Sequence, residues 1–389
     1  MQIYLDHSAT TPTRPEAIAT MHRILTTEWG NPSSIHQWGE RASTAIEQAR
    51  FQVAALINAN PDAIAFTSGG TEANNQAIMG VANSYSTPQH LIISSVEHSS
   101  ITAPIKFLET RGWQITRLGV DRQGRIDPQE LAIAIRPNTV LVSIIYGQSE
   151  IGTVQPIAEL AAICRQYSVY FHTDAVQAAG RIPIDVQKLG IDLLSLSSHK
   201  LYGPQGVGAL YIRPGVELVP LLAGGGQEMG WRSGTQPVPQ IAGFGIAAEL
   251  ASEEMASELE RLVGLRDRLF ALLADCPSLI PTGDRHNRLP HHLSFCLNIP
   301  RSHAPEAITG KTIVRQLNLA GIGISSGAAC SSGKLTPSPI LLAMGYSKTE
   351  AVGAIRITLG KGTLEADIDW VAMVLKQVID RLAPKLVCV

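Results

Sequence analysis

Between Ala63 and Ile212 short apolar runs and helical runs alternate, and this alternation limits the fold more than any other feature of the chain. AIAFT, HLIISSVEHSS, WQITRLGV, TVLVSIIY, VYFHTDAVQ, DLLSLSSHK and ALYI read as strands, with helical runs such as residues 101–111 and 157–167 among them. That pattern predicts an α/β fold, a mainly parallel sheet covered by helices on both faces. Ligands of such sheets gather beyond the carboxyl ends of the strands. His98, Ser149, Glu150, Asp174, Gln177, His199 and Lys200 each follow the apolar part of a strand, so they can converge on one cleft.

Outside this block the pattern changes. Helices are predicted over residues 15–28 and 40–58, and after Ile212 a glycine-rich loop, LLAGGGQEMGWRSGT, leads into a helical region at 239–274. The strand HHLSFCLNI, a helix at 311–320, the strand AIRITLG and an amphipathic helix at 365–382 then read as a smaller α+β domain. At 389 residues two domains are expected: a large one at 14–258, and a small one from 1–13 and 259–389 that carries a cysteine loop at about 325–337. With 45% hydrophobic and 16% charged residues the chain reads as soluble and globular. A net charge of −2 gives no reason to expect nucleic acid or an anionic membrane as partner. The opening MQIYLDHSATTP has no basic-then-apolar leader pattern and no stretch reaches membrane-spanning length, so a cytoplasmic protein is expected. The five cysteines are scattered and lack CxxC spacing, which points to neither a disulfide framework nor a metal site; RHNRLPHH reads as a solvated loop. Cys330 stands apart, flanked by SSGAAC and SSGK rather than by core-forming residues.

The chemistry centres on DLLSLSSHKLYGPQGVG, a strand, a turn and a second strand with Lys200 at the turn. An amine held there against apolar neighbours loses charge by desolvation and becomes a nucleophile towards aldehydes, of which pyridoxal phosphate is the obvious one. A surface lysine beside a hairpin is the plain alternative, and only residues elsewhere decide between the two. AIAFTSGGTEANN offers a strand, glycines and a helix start, where free N–H groups favour a phosphate. Gly70, Thr71, Ser197 and His199 can hold that phosphate. Asp174 can keep a pyridine nitrogen protonated, Gln177 can bond the phenolic oxygen, and His98 can stack on the ring and move protons. Singly, each has an ordinary structural role, such as a helix cap or a core hydrogen bond; their equivalent places on successive strands favour the functional reading.

YLDHSATT, GNPSSIH, FTSGGTEANN, EHSS, the EIG of SEIGTVQPI, HTDAVQAAG, SSHKLYGPQGVGALY, GGGQEMGWRSGT and SSGAACSSG, in that order, resemble the motifs of cysteine desulfurases, in the class V aminotransferase group of fold-type I pyridoxal enzymes. The resemblance implies a seven-stranded-type sheet with a smaller C-terminal domain, and pyridoxal 5'-phosphate on Lys200 with Asp174 facing its nitrogen and His98 on its ring. It implies a homodimer in which Thr235 reaches the phosphate of the partner's cofactor. Arg356 resembles the arginine that binds the substrate carboxylate, with Asn31 of GNPSSIH beside the substrate, and Cys330 resembles the sulfur-accepting nucleophile. SSGAACSSGKLTPS is similar to the longer, flexible loop of the housekeeping and nitrogenase-associated group. The implied reaction converts L-cysteine to L-alanine and leaves a persulfide on Cys330, for an acceptor such as an iron-sulfur scaffold protein. Lys200 acts as acid and base and His98 serves the sulfur; Lys334, read from its place near Cys330, can raise the thiolate fraction, an effect that a flexible loop in water weakens. A cysteine C–S lyase or small-substrate aminotransferase of the same fold would not need Cys330, and a catalytically weak assembly subunit would not need Lys200.

One position departs from the family. Ser149 stands where an asparagine usually bonds the cofactor's phenolic oxygen and the substrate carboxylate. A water fills the gap, Gln148 turns inward, or the contact is lost; strand alternation argues against Gln148, and the water is favoured.

Overall fold

The computed structural model describes residues 2–298, 308–327 and 336–382. The chain begins with a short strand, β1 (Ile3–Tyr4), a turn at 6–10, and helices Pro15–Thr27 and Gln37–Leu56. Seven strands follow, β2 (Ile64–Thr67), β3 (His90–Ser94), β4 (Gln114–Leu118), β5 (Thr139–Ile145), β6 (Tyr170–Asp174), β7 (Leu193–Ser197) and β8 (Gly208–Ile212). They form one sheet in the order β2-β8-β7-β6-β5-β3-β4. Pairings from β7 through β4 are parallel, whereas β8 runs antiparallel to both neighbours, β2 and β7. The cause is the short glycine-rich connection from β7 to β8, which has no room for a crossover helix.

Residues of β2, β3, β5, β7 and β8 are buried throughout, as expected when helices cover both faces. Side chains alternate between two cores. Phe66, Ile92, Val142 and Ile144 pack with helices Gln37–Leu56 and Ile157–Gln166, while Ala65, Leu91, Ile93 and Leu141 pack with helices Gly70–Ala82 and Ser99–Glu109. Each fully buried Ile or Leu contributes about 1.5–3 kcal/mol over leaving it exposed.

A second, four-stranded antiparallel sheet is built from β9 (Leu279–Pro281), β10 (His292–Leu297), β12 (Ser325–Ser326) and β13 (Ile355–Thr358) in the order β12-β13-β10-β9, and β11 (Ile322–Gly323) pairs in parallel with β1 in a separate two-stranded sheet. Helices Gly310–Leu319 and Glu365–Leu382 cover it through Ile313, Ile368 and Leu375. Helix Val238–Leu272 has 35 residues, about 52 Å at ~1.5 Å per residue. Its Ile241 and Phe244 belong to the core of the large sheet, and its Leu265 and Leu269 to that of the small one.

RHNRLPHH corrects an expectation. Arg285, His286 and Asn287 are exposed, but the rest is no solvated loop: Arg288, Leu289, His291 and His292 are at most 5% exposed. Burial, followed by nearby arginines, holds both histidines well below their usual pKa, so they are neutral. The proline and the apolar Leu289 carry the segment inward, where His291 Nε2 meets Ser8 Oγ at 3.1 Å and His292 Nε2 donates to the Ser149 carbonyl at 3.0 Å. Among the described residues, no group of three or more His, Cys, Asp and Glu is placed to hold a metal.

Candidate active site

A cleft of about 290 Å³ opens beyond the carboxyl ends of β3, β5, β6 and β7. Lys200, Asp174, Gln177, His98, Gly70, Thr71, Ser149, Ser197, His199 and Arg356 all line it.

Lys200 sits in the turn Ser198–Lys200 that follows β7, and its Nζ donates to the carbonyls of Ser8 at 2.6 Å and Ala9 at 2.7 Å. Burial, then the positive charges of Arg356 and Arg181, push its pKa down to about 8, against the opposing pull of Asp6 and Asp174. A lysine so poised is partly neutral near physiological pH and can attack a carbonyl carbon.

Asp174 ends β6 and is 4% exposed. Its Oδ2 accepts from Asn74 Nδ2 at 2.8 Å and its Oδ1 from the Val176 amide at 3.0 Å. Among the described residues no cation lies within ion-pair distance of it. A buried carboxylate with spare lone pairs on a cavity wall is costly unless a positive donor completes it. The same Asn74 Nδ2 donates to Ser100 Oγ at 2.8 Å, and Ser100 Oγ lies 2.8 Å from His98 Nδ1. His98 Nδ1 also accepts from the Ser100 amide at 3.2 Å, which assigns the ring proton to Nε2. Asn74 and Ser100 thus link the carboxylate to the histidine.

Helix Gly70–Ala82 starts at the rim of the cleft, capped by Gly69 at φ +152°, ψ −179°, a conformation open to glycine. A Cβ on Gly70 would come within 2.7 Å of Val176 Cγ2, so only glycine leaves the helix start this close to the cleft floor. Its N–H groups and positive dipole end suit an anion. His199 Nδ1 lies 3.1 Å from Thr10 Oγ1, and burial together with Lys200 lowers its pKa to about 4, so it is neutral. Gln177 Nε2 donates to the Ser8 carbonyl at 2.9 Å while its buried Oε1 has no partner.

Arg356 comes from β13. Its Nη2 donates to Asp6 Oδ1 at 2.8 Å and its Nη1 to the Ser149 carbonyl at 3.1 Å, while its buried Nε has no partner. Gln148 is 1% exposed and turns away from the cleft: its Nε2 donates to the Val96 carbonyl at 3.1 Å, and its Oε1 accepts from the amides of Glu150 and Ile151. Both residues lie in the turn beyond β5, so it is these hydrogen bonds of Gln148 rather than strand alternation that leave Ser149 on the cleft wall.

Two expected residues are not brought to this cleft. Asn31 is exposed and its Oδ1 accepts from the Ser33 amide at 3.0 Å, so the short amide satisfies its own loop instead of reaching the substrate region of its own chain. Thr235 is also exposed, beyond Arg232, whose Nε pairs with Glu72 Oε1 at 2.9 Å. Cys330 and Lys334 lie outside the described residues. Gly327 and Ser338, the nearest described positions in contact with Glu150, both lie against its side chain. Burial pushes Glu150 up to about 7. Sequence reasoning passed over Asn74, Ser100 and Asp6. The first two sit in FTSGGTEANN and EHSS, and their polar side chains on otherwise apolar helix faces were the available signal.

An amine, an unpaired buried carboxylate, an anion-binding helix start and a forked cation in one cleft suit a ligand with an aldehyde, a protonated ring nitrogen and a phosphate, beside a substrate carboxylate. The sequence model described as "Aminotransferase class-V" matches residues 3–371. A protein named cysteine desulfurase IscS from Dictyoglomus turgidum is 47% identical over 98% of this chain and 95% of its own length. One of the same name from Methanosarcina thermophila is 43% identical over 98% of this chain and 92% of its own. A solved structure described as a NifS-like protein superposes with a TM-score of 0.91 at 33% identity, covering 98% of this chain and all of the other.

Proposed function

We propose, from the premise that the chain belongs to the class-V aminotransferase family, that it is a pyridoxal 5'-phosphate-dependent cysteine desulfurase. The overall reaction is L-cysteine plus the Cys330 thiol giving L-alanine plus a Cys330 persulfide, in which the carbon–sulfur bond is replaced by a sulfur–sulfur bond and no outside oxidant is needed. The observation that carries this reading is the meeting of Lys200, Asp174 and Arg356 in one cleft. The residues fit the cofactor: among the described residues Asp174 pairs with no cation, the Gln177 amide has an unpartnered buried oxygen, and Gly70 keeps the helix start clear.

Lys200 would hold the cofactor covalently, and its amine, when free, is placed to carry the proton at the substrate's Cα. Asp174 faces the ring nitrogen, held by Asn74 and the Val176 amide. Gly70, Thr71, Ser197 and His199 surround the phosphate, with Thr235 added from the partner subunit of a homodimer. When bound, the cofactor supplies an electrophilic aldehyde and a ring that stabilises negative charge at the substrate's Cα. Gln177 and Ser149 would bond the phenolic oxygen, Ser149 through a water. Arg356 takes the substrate carboxylate on its free N–H groups, a role suited to a planar fork. His98, whose Nδ1 is engaged by Ser100, presents Nε2–H to deliver a proton at the substrate sulfur. Gly327 and Ser338, described positions on either side of the segment that bears Cys330, lie against Glu150, the chain neighbour of Ser149. From Cys330 the sulfur passes to an acceptor such as an iron-sulfur scaffold protein. The unpaired Cys164, Cys276 and Cys296 fit a reducing, cytoplasmic setting. Among the described residues no helix is long and apolar enough to cross a membrane.

The test is to incubate the purified, cofactor-loaded protein with L-cysteine and follow alanine, sulfide, pyruvate and cofactor absorbance together. Equal amounts of alanine and protein-bound persulfide are expected, with persulfide lost in Cys330→Ser while the cofactor's spectral response to L-cysteine remains. Pyruvate with ammonia would instead identify a C–S lyase.

A further inference from the structure

Arg356 does not stand alone. Its Nη2 is held by Asp6 Oδ1 at 2.8 Å, and the second oxygen of Asp6 accepts from Ser325 Oγ at 2.8 Å. The contact to arginine is therefore through one oxygen only, with the other engaged on β12. Arg356 Nη1 is fixed on the Ser149 carbonyl at 3.1 Å, and the guanidinium is left with an unpartnered buried Nε–H and one further hydrogen on each Nη. The backbone of Asp6 is equally tied: Tyr4 Oη donates to its carbonyl at 3.0 Å and to that of Thr10 at 2.9 Å, and the Ala9 amide donates to it at 2.9 Å. The turn so closed is the one whose Ser8 and Ala9 carbonyls receive Lys200. Glu150, also near Arg356, makes no direct ion pair among the described residues, so Asp6 is the carboxyl that anchors the guanidinium.

We propose that Asp6 is a positioning residue for substrate recognition: it fixes Arg356 by a one-oxygen bond that leaves the guanidinium's remaining edge free for the substrate carboxylate. The inference rests on the reading of Arg356 as the carboxylate-binding residue. An arginine with four side-chain torsions loses entropy when it must be ordered at the moment of binding, and Asp6 removes that cost beforehand. Asparagine at the same place keeps an oxygen acceptor for Nη2, whereas alanine does not.

The experiment compares Asp6→Ala, Asp6→Asn and Arg356→Ala in the cofactor-loaded protein, measuring kcat and KM for L-cysteine and the affinity for L-alanine from the change in cofactor absorbance. Asp6→Ala is expected to raise KM and weaken alanine binding by on the order of tenfold, the effect of losing one charge-assisted hydrogen bond, with kcat nearly unchanged. Asp6→Asn is expected to recover most of that loss. A rise in affinity in both Asp6 variants would mean that Asp6 competes with substrate for Arg356, and unchanged values in both would mean that it only braces the fold; either result overturns the proposal. Arg356→Ala separates the two levels of the argument. If it leaves KM and alanine affinity intact, the carboxylate assignment itself is wrong; if it weakens both while Asp6→Ala does not, only the positioning role is lost. Thermal melting of each variant checks that the turn still closes, and an Asp6→Ala protein that melts like the parent yet binds alanine equally well is a refutation.

Discussion

Lys200 combines two demands that oppose each other. It must be buried enough to lose its proton, yet it needs acceptors for its N–H groups, and the two backbone carbonyls of Ser8 and Ala9 meet that need without adding a full negative charge. With its pKa lowered to about 8, the amine of the apoprotein gains nucleophilicity as pH rises through 8, so the rate of cofactor uptake should climb from pH 7 to 9 and then level off. A normal lysine would keep climbing towards 10, and stopped-flow absorbance over that range distinguishes the two. Lys200→Ala should leave no borohydride-reducible bond between protein and cofactor, which mass spectrometry of the reduced protein reads directly. At Ser149 the loss relative to asparagine is one forked amide, and a bridging water costs ~0–2 kcal/mol in ordering. Ser149→Asn is therefore expected to lower KM for L-cysteine by a few-fold without changing the product; Gln148→Ala should instead damage folding, because Gln148 ties β5 to Val96 and to the turn at Glu150. Steady-state kinetics beside thermal melts check both.

Elements show what was legible before the structure and what was not. Apolar runs predicted the seven strands of the large sheet and the helices Ile157–Gln166 and Glu365–Leu382 because burial on both faces leaves a local mark. The reversed direction of β8 was legible only indirectly, through the short glycine-rich link from Lys200. Polar residues that pair across long sequence distances were hidden. Asp6 and Arg356 are 350 positions apart, and nothing local in YLD or AIRIT announces their bond. Glu228 lay in what read as a loose glycine-rich loop, yet it is buried and takes Arg50 Nη1 at 2.7 Å and the Phe66 amide at 2.8 Å. That pair pins the segment carrying Thr235 to the edge strand β2. Glu228→Ala strands a buried guanidinium, and since Glu47 still touches Arg50 the loss should be about 3 kcal/mol, at the low end for a broken buried pair. Urea unfolding gives the figure, and a change below about 0.5 kcal/mol, the level of ordinary surface substitutions, would show that the loop is held by something else. We also propose that the boundary between the two expected domains, at about residue 258, falls inside helix Val238–Leu272, since its two halves enter different cores.

For the whole molecule, the proposed homodimer draws support from the surface. Ile18, Leu25, Trp29, Ile35, Trp38 and Phe51, on the first two helices and the link between them, are all exposed, more large apolar area in one stretch than a monomer ordinarily leaves in water. Sedimentation should show a dimer at micromolar concentration, and Thr235→Ala should weaken cofactor retention although Thr235 lies outside the cleft of its own chain. A fully active monomer would contradict both expectations.

The turn at residues 6–10 has a consequence for how the protein is made. Leu5 and His7 bond to the strands that contain Gly323 and Thr358, so the acceptors of Lys200 are held in place by segments near the far end of the chain. During synthesis Lys200 leaves the ribosome roughly ten to thirty seconds before Arg356, at ~5–20 residues per second. Through that interval the acceptors of the Lys200 amine exist but the strands that hold them, and the Arg356 charge that helps lower its pKa, do not. Loading with the aldehyde therefore belongs after translation ends, and a ribosome stalled anywhere before β13 should display a chain that cannot retain it.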